Sequence, residues 1–149
     1  MIINLKKYFL FLFLLVTVVF VQAQSDSLVL ACPLANGGPR VIRASDKDYQ
    51  KSSEYGVMFI SKTDTLVQAV HDAQVVLVVK KEDDGKYDVV LQFKGYYFWY
   101  AGIIVPKVKQ GIRVKTGNII GTYKTGDLIE LLMYLQEEPV NPRKYLQCK

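Results

Sequence analysis

From about residue 54 onward, short apolar runs alternate with polar or glycine clusters. VMFIS, TLVQAV, QVVLVVK and YDVVLQF are β-branched or aromatic segments bounded by polar or glycine clusters, the signals of short strands. EDDGK separates two of these runs and reads as a hairpin turn, with Asp84-Gly85 suited to positive φ at its corner. YYFWYAGIIV is a further strand. Along it Tyr96, Phe98 and Tyr100 point one way and Tyr97 and Trp99 the other. VKQGIRVKTGNIIG supplies two short strands with turns at Gly111 and Gly117. LIELLMYL fits a helix by Leu and Glu propensity alone. Ile129, Leu131, Met133 and Leu135 fit a two-residue period as well, and the surrounding strands favour that choice. About eight short strands with tight turns predict an all-β antiparallel fold, a β-sandwich or partly open barrel.

The N-terminus follows a different rule. Lys6 and Lys7 precede the 14-residue run Tyr8–Val21, which is shorter than the ~20 residues of a spanning helix. Val21, Gln22 and Ala23 then offer small residues at cleavage positions, and polar QSDS follows. That order predicts a signal peptide over residues 1–23, cut between Ala23 and Gln24, with no stable membrane span afterwards. The mature chain divides into an extension, 24–52, rich in turn formers, in which Val41 and Ile42 suggest one strand, and a β domain, 53–149.

Export changes the reading of charge and cysteines. Removing two leader lysines from 19 basic residues leaves 17 against 14 acidic ones, so the formal charge falls from +5 to +3. That is too mild and dispersed for a nucleic-acid surface. Cys32 and Cys148 stand near the two ends of the mature chain, and outside the cytoplasm an even pair favours a disulfide. The alternative for Cys32 is lipidation, since VLAC is similar to a lipoprotein box; the polar residues Ser25, Asp26 and Ser27 speak against it.

Five landmarks in a fixed order carry a family resemblance. They are Tyr55-Gly56-Val57; TDTLVQAVHDAQVV; YDVVLQFKGYYFWYAGI; the rhythm V-x-x-G-x-x-V-x-x-G-x-x-I-G from Val108 to Gly121; and EPVNPRKYL from Glu138 to Leu146. Together they resemble the lysostaphin-type (LytM-like) zinc metallopeptidases, which cut peptide cross-links in peptidoglycan. Biotinyl and lipoyl carrier domains share the glycine rhythm, but the modifiable lysine motif of those domains is missing from the chain.

The resemblance implies zinc held by His-x-Gly-x-Asp and the second His of a late His-x-His, with two further histidines acting on water and the scissile carbonyl. On this sequence the first His falls on Glu54 and the Asp on Met58. The His of Tyr-x-His falls on Gly102, and His-x-His on Leu128 and Glu130. Every expected histidine is replaced, so no catalytic residue, zinc site or other cofactor is predicted. The one histidine, His71, lies off the ligand pattern. Glu54 and Glu130 together would make only a weak oxygen site.

What the frame retains is a surface. Tyr97, Trp99, Tyr100 and Glu130 are the candidate cleft residues, able to stack on sugar or peptide, with packing on both sheet faces as the plainer alternative. The resemblance thus implies an exported, catalytically degenerate module that binds peptidoglycan or regulates a cell-wall hydrolase. The alternatives are an active zinc endopeptidase with unrecognised ligands and a secreted structural or interaction protein that reuses the fold.

Overall fold

The computed structural model describes residues 27–39 and 56–148. The cleavage site at Ala23 and Gln24, the strand suggested at Val41 and Ile42, and Glu54 lie outside the described residues. The strands run β1 (Leu30–Ala31), β2 (Gly38–Pro39), β3 (Val57–Ile60), β4 (Leu66–Gln68), β5 (Ala73–Lys80), β6 (Tyr87–Phe93), β7 (Tyr96–Ile103), β8 (Arg113–Val114), β9 (Ile119–Thr122), β10 (Ile129–Leu135), β11 (Glu138–Val140) and β12 (Leu146–Gln147). LIELLMYL is therefore a strand, as its two-residue period requires. A single 3₁₀ turn, Pro142–Lys144, is capped by the Asn141 side chain, which accepts from the Arg143 amide.

The main sheet has the order β2-β3-β10-β7-β6-β5-β8, with β11 beside the far half of β10. All its pairings are antiparallel. Long hairpins join β5 to β6 and β6 to β7. The first turns at Gly85, as the EDDGK reading expects, and the second at Lys94-Gly95, both with positive φ. Because side chains alternate, each cross-strand row belongs wholly to one face. Val57, Leu131, Tyr100, Val89 and Val78 form one row on the inner face; Met133, Phe98, Leu91 and Val75 form the next. Bulging at Val76 shifts the β5–β6 register between Val75 and Leu77 and sends Leu77 to the outer face.

The β4–β9 pair covers the inner face and closes a sandwich without closing a barrel. Val67 and Ile120 from this layer join Phe59, Phe98, Tyr100, Ile103 and Leu131 in one core. The described part of the 24–52 extension enters the same core through Leu30 and Leu34, both fully buried. The Asn36 amide and side chain both donate to the Asp64 carboxylate, at 2.9 and 3.1 Å, and tie this segment to the β3–β4 loop. Burial alone would raise the Asp64 carboxyl, but hydrogen bonds from Ser61 and Asn36 bring it below its ordinary value.

β1 and β12 pair in parallel, Leu30 opposite Leu146 and Ala31 opposite Gln147. This brings the next residues, Cys32 and Cys148, side by side. They form a disulfide with Cα atoms 5.1 Å apart across a sequence separation of 116. The cystine ties both ends of the domain to one core. Closing so long a loop stabilises by roughly 4–5 kcal/mol in the chain-entropy view. The double variant Cys32→Ser/Cys148→Ser should lose about that much in urea unfolding, and reduction of the wild type should reproduce most of the loss.

Candidate functional site

The outer face of the main sheet carries the residues singled out from the sequence. Its first row crosses five strands: Met58 on β3, Glu130 on β10, Ala101 on β7, Asp88 on β6 and Val79 on β5. The second holds Leu132, Trp99, Val90 and Leu77, and the third Tyr134, Tyr97, Gln92 and Gln74. These elements form locally because each strand is apolar at alternate positions while the outer positions mix aromatic, aliphatic and acidic groups.

Tyr97 and Trp99 line a groove of about 550 Å³, whose walls also include Leu77, Val90, Tyr134 and Glu137. Glu130 lies one row beyond Trp99 and outside the groove wall. Tyr100 belongs elsewhere. Its side chain is fully buried on the inner face, and its hydroxyl accepts a hydrogen bond from the Val70 amide at 2.8 Å. Burial pushes its phenol far above the ordinary range. The candidate role of Tyr100 in the cleft is thus corrected: one strand cannot send neighbours 99 and 100 to the same face.

The positions that would hold metal are on the page as well. Met58 and Glu130 are cross-strand partners, so the strands still bring two of these positions together. Gly102 has φ +104°, and a Cβ there would meet the Leu128 carbonyl oxygen at 2.7 Å. Leu128 and Met58 offer no oxygen or nitrogen side-chain donor, and Gly102 offers no side chain. His71 takes no part. Its ring packs on Phe93, centroids 4.4 Å apart, and its Nδ1 hydrogen-bonds the Asp72 carbonyl. Phe93 pairs with Tyr96 at one end of β7, five residues or roughly 17 Å along the strand from Ala101. Among the described residues, no three His, Cys, Asp or Glu side chains gather as a metal site. A catalytic zinc centre needs three ligands and an open position, and the donors among the described residues do not fit it.

Asp88 is the site residue that sequence reading missed. The signal was a lone carboxylate inside an apolar strand, YDVVLQF. It is nearly buried, accepts from the Trp99 indole N–H at 2.9 Å through Oδ2, and leaves Oδ1 buried without a partner. Glu130 Oε1 is likewise buried and unpartnered. A Cβ on Gly56 would stand 2.5 Å from that oxygen, so a side chain there would push the end of Glu130 aside. Burial raises the Glu130 carboxyl; Lys81 draws it back and Asp88 pushes it further up.

The family model described as Peptidase family M23 matches residues 52–142. The chain belongs to peptidase family M23. No curated protein sequence matches the chain. Among solved structures, this M23 domain is similar to Csd3 of Helicobacter pylori, at 23% identity and TM-score 0.61, over 81% of this chain and 35% of that one. It is similar to lysostaphin at 23% identity and TM-score 0.57, over 74% of this chain and 48% of that one. It also matches a chain of the SpoIIQ–SpoIIIAH pore-forming complex, at 18% identity and TM-score 0.64, over 81% of this chain and 92% of that one. The chain thus spans about a third of Csd3 and about half of lysostaphin. At these identities the likeness is one of fold, and the M23 positions themselves must carry the chemical argument.

Two outcomes follow from this M23 face. Restoring histidine by Gly102→His should destabilise the domain by about 1–3 kcal/mol or more, read as a lower urea midpoint, because a side chain meets both positive φ and a backbone oxygen. Glu130→Gln should act in the opposite direction. A carboxyl raised above 4.5 binds its proton more tightly when folded, so ionisation lowers stability as pH rises through the folded value. The variant should melt higher than wild type at pH 7, and the difference should vanish below about pH 4.

Proposed function

We propose that this protein is an exported, noncatalytic M23 module that binds peptidoglycan or regulates a cell-wall hydrolase through the outer sheet face. The observation that carries this reading is the substitution of the metal positions by Met58, Gly102, Leu128 and Glu130 on a face that keeps an aromatic groove. Half-buried aromatic side chains lining an open groove suit recognition of sugar or peptide without hydrolysis. Export is supported by the disulfide, a bond of oxidising compartments, and by the leader-like N-terminus. Among the described residues no helix is long and apolar enough to cross a membrane.

The test pairs sedimentation with purified peptidoglycan sacculi and elemental analysis for zinc after saturation and desalting. The expected outcome is co-sedimentation without release of soluble fragments, and far less than one zinc per chain. Trp99→Ala should weaken sedimentation by about tenfold, since a stacked aromatic contributes on the order of 1–2 kcal/mol. Stoichiometric zinc with fragment release would instead establish a peptidase. Loss of sacculus binding with capture of a hydrolase would select the regulatory form.

A further inference from the structure

The carboxylate row has a feature that sheet packing does not explain. Asp88 is only 8% exposed and Glu130 is partly buried, yet each holds an oxygen with no hydrogen-bond partner. A buried carboxylate oxygen without a donor carries its desolvation cost uncompensated. The two flank Ala101 in register, Glu130 from β10 and Asp88 from β6, so a single methyl group separates their stems across β7. Their charges act on one another, and Lys81 is the cation that also acts on Glu130. Lys81 follows β5 and pairs with Asp84 at 3.8 Å, and neither oxygen takes a hydrogen bond from it.

The missing group is therefore a donor that tolerates apolar surroundings. Met58 and Ala101 in the row, and Leu132 and Trp99 in the next, supply no further side-chain oxygen, which disfavours calcium or magnesium with their six or more oxygens. An ammonium needs fewer acceptors and gains from an aromatic face. Trp99 stands in the next row, about 7 Å along the sheet, with its N–H edge fixing Asp88 and its ring in the groove wall. The groove beyond it is walled by Leu77, Val90, Tyr97 and Tyr134, a fit for an aliphatic stem.

We propose that the Glu130–Asp88 row seats a primary ammonium group whose aliphatic stem lies toward the Trp99–Tyr97 groove. It rests on the reading of this face as a binding module, and names the chemistry it selects: an amine-bearing peptide.

The probe is Nα-acetyl-lysine methylamide, with its Nε-acetylated form as control, titrated into the oxidised full chain and followed by the NMR signals of the Trp99 indole and the Ala101 amide. Saturable shifts are expected with the amine and none with the acetylated control. Glu130→Gln and Ala101→Leu, the second filling the space between the carboxylates, should each weaken binding by about tenfold or more. Glu130→Gln is expected to fold at least as well as wild type, so its loss of binding reports the site. The proposal is overturned by no shift with the amine, by equal shifts with both probes, by binding that Glu130→Gln leaves intact, or by shifts that calcium alone produces. Sacculus sedimentation of the same proteins separates the two readings. Sacculus binding without amine binding removes only the ammonium seat; amine binding without sacculus binding removes only the peptidoglycan module.

Discussion

The register of β10, β7 and β6 governs the rest of this molecule. With Leu131, Tyr100 and Val89 aligned in one row, a slip of one residue would send a buried aromatic to water and a carboxylate into the core. Tyr100 pins that register, because its hydroxyl takes the Val70 amide and links the main sheet to the segment leading from β4 to β5. The same register places Glu130, Ala101 and Asp88 in line on the opposite face. Inner packing and outer chemistry are two consequences of one alignment.

That alignment explains how an M23 frame persists when its donor set does not fit zinc. Stability rests on the inner rows, the β4–β9 cover and the closure of both ends, none of which involves the metal positions. The residues at those positions are held in different ways. Met58 is packed and nearly buried, and Gly102 has a backbone conformation and a close carbonyl that exclude a side chain. Glu130 sets a carboxyl in a place where burial opposes its ionisation. Costs of that kind concentrate where a surface is used rather than where it is only packed.

The parallel β1–β12 pair gives the fold its second anchor. Leu30 and Leu34 fill the core from a segment that has little strand character of its own, and the cystine sits where that pair ends. A small sandwich with an open face gains most from such a closure, since its own core is limited.

Much of the sheet was legible in the chain because β-branched and aromatic runs bounded by turn formers are local signals. VMFIS, QVVLVVK, YDVVLQF, YYFWYAGIIV and even the helix-like LIELLMYL all announce strands, and the ordered glycines and the closing PVNP point to the family. The missing histidines are likewise plain from the sequence, since a metal donor set is a matter of residue type. The tertiary structure decided what depends on partners distant in the chain. Period alone puts Tyr97 and Trp99 opposite Tyr100, but only the covering β4–β9 layer shows which face is inside. Asp88 stands 42 residues before Glu130, and nothing local reveals that Ala101 lies between them. The short strands β1, β11 and β12 were hidden for the same reason: they are held by the strand beside them, through backbone groups that carry no residue signature.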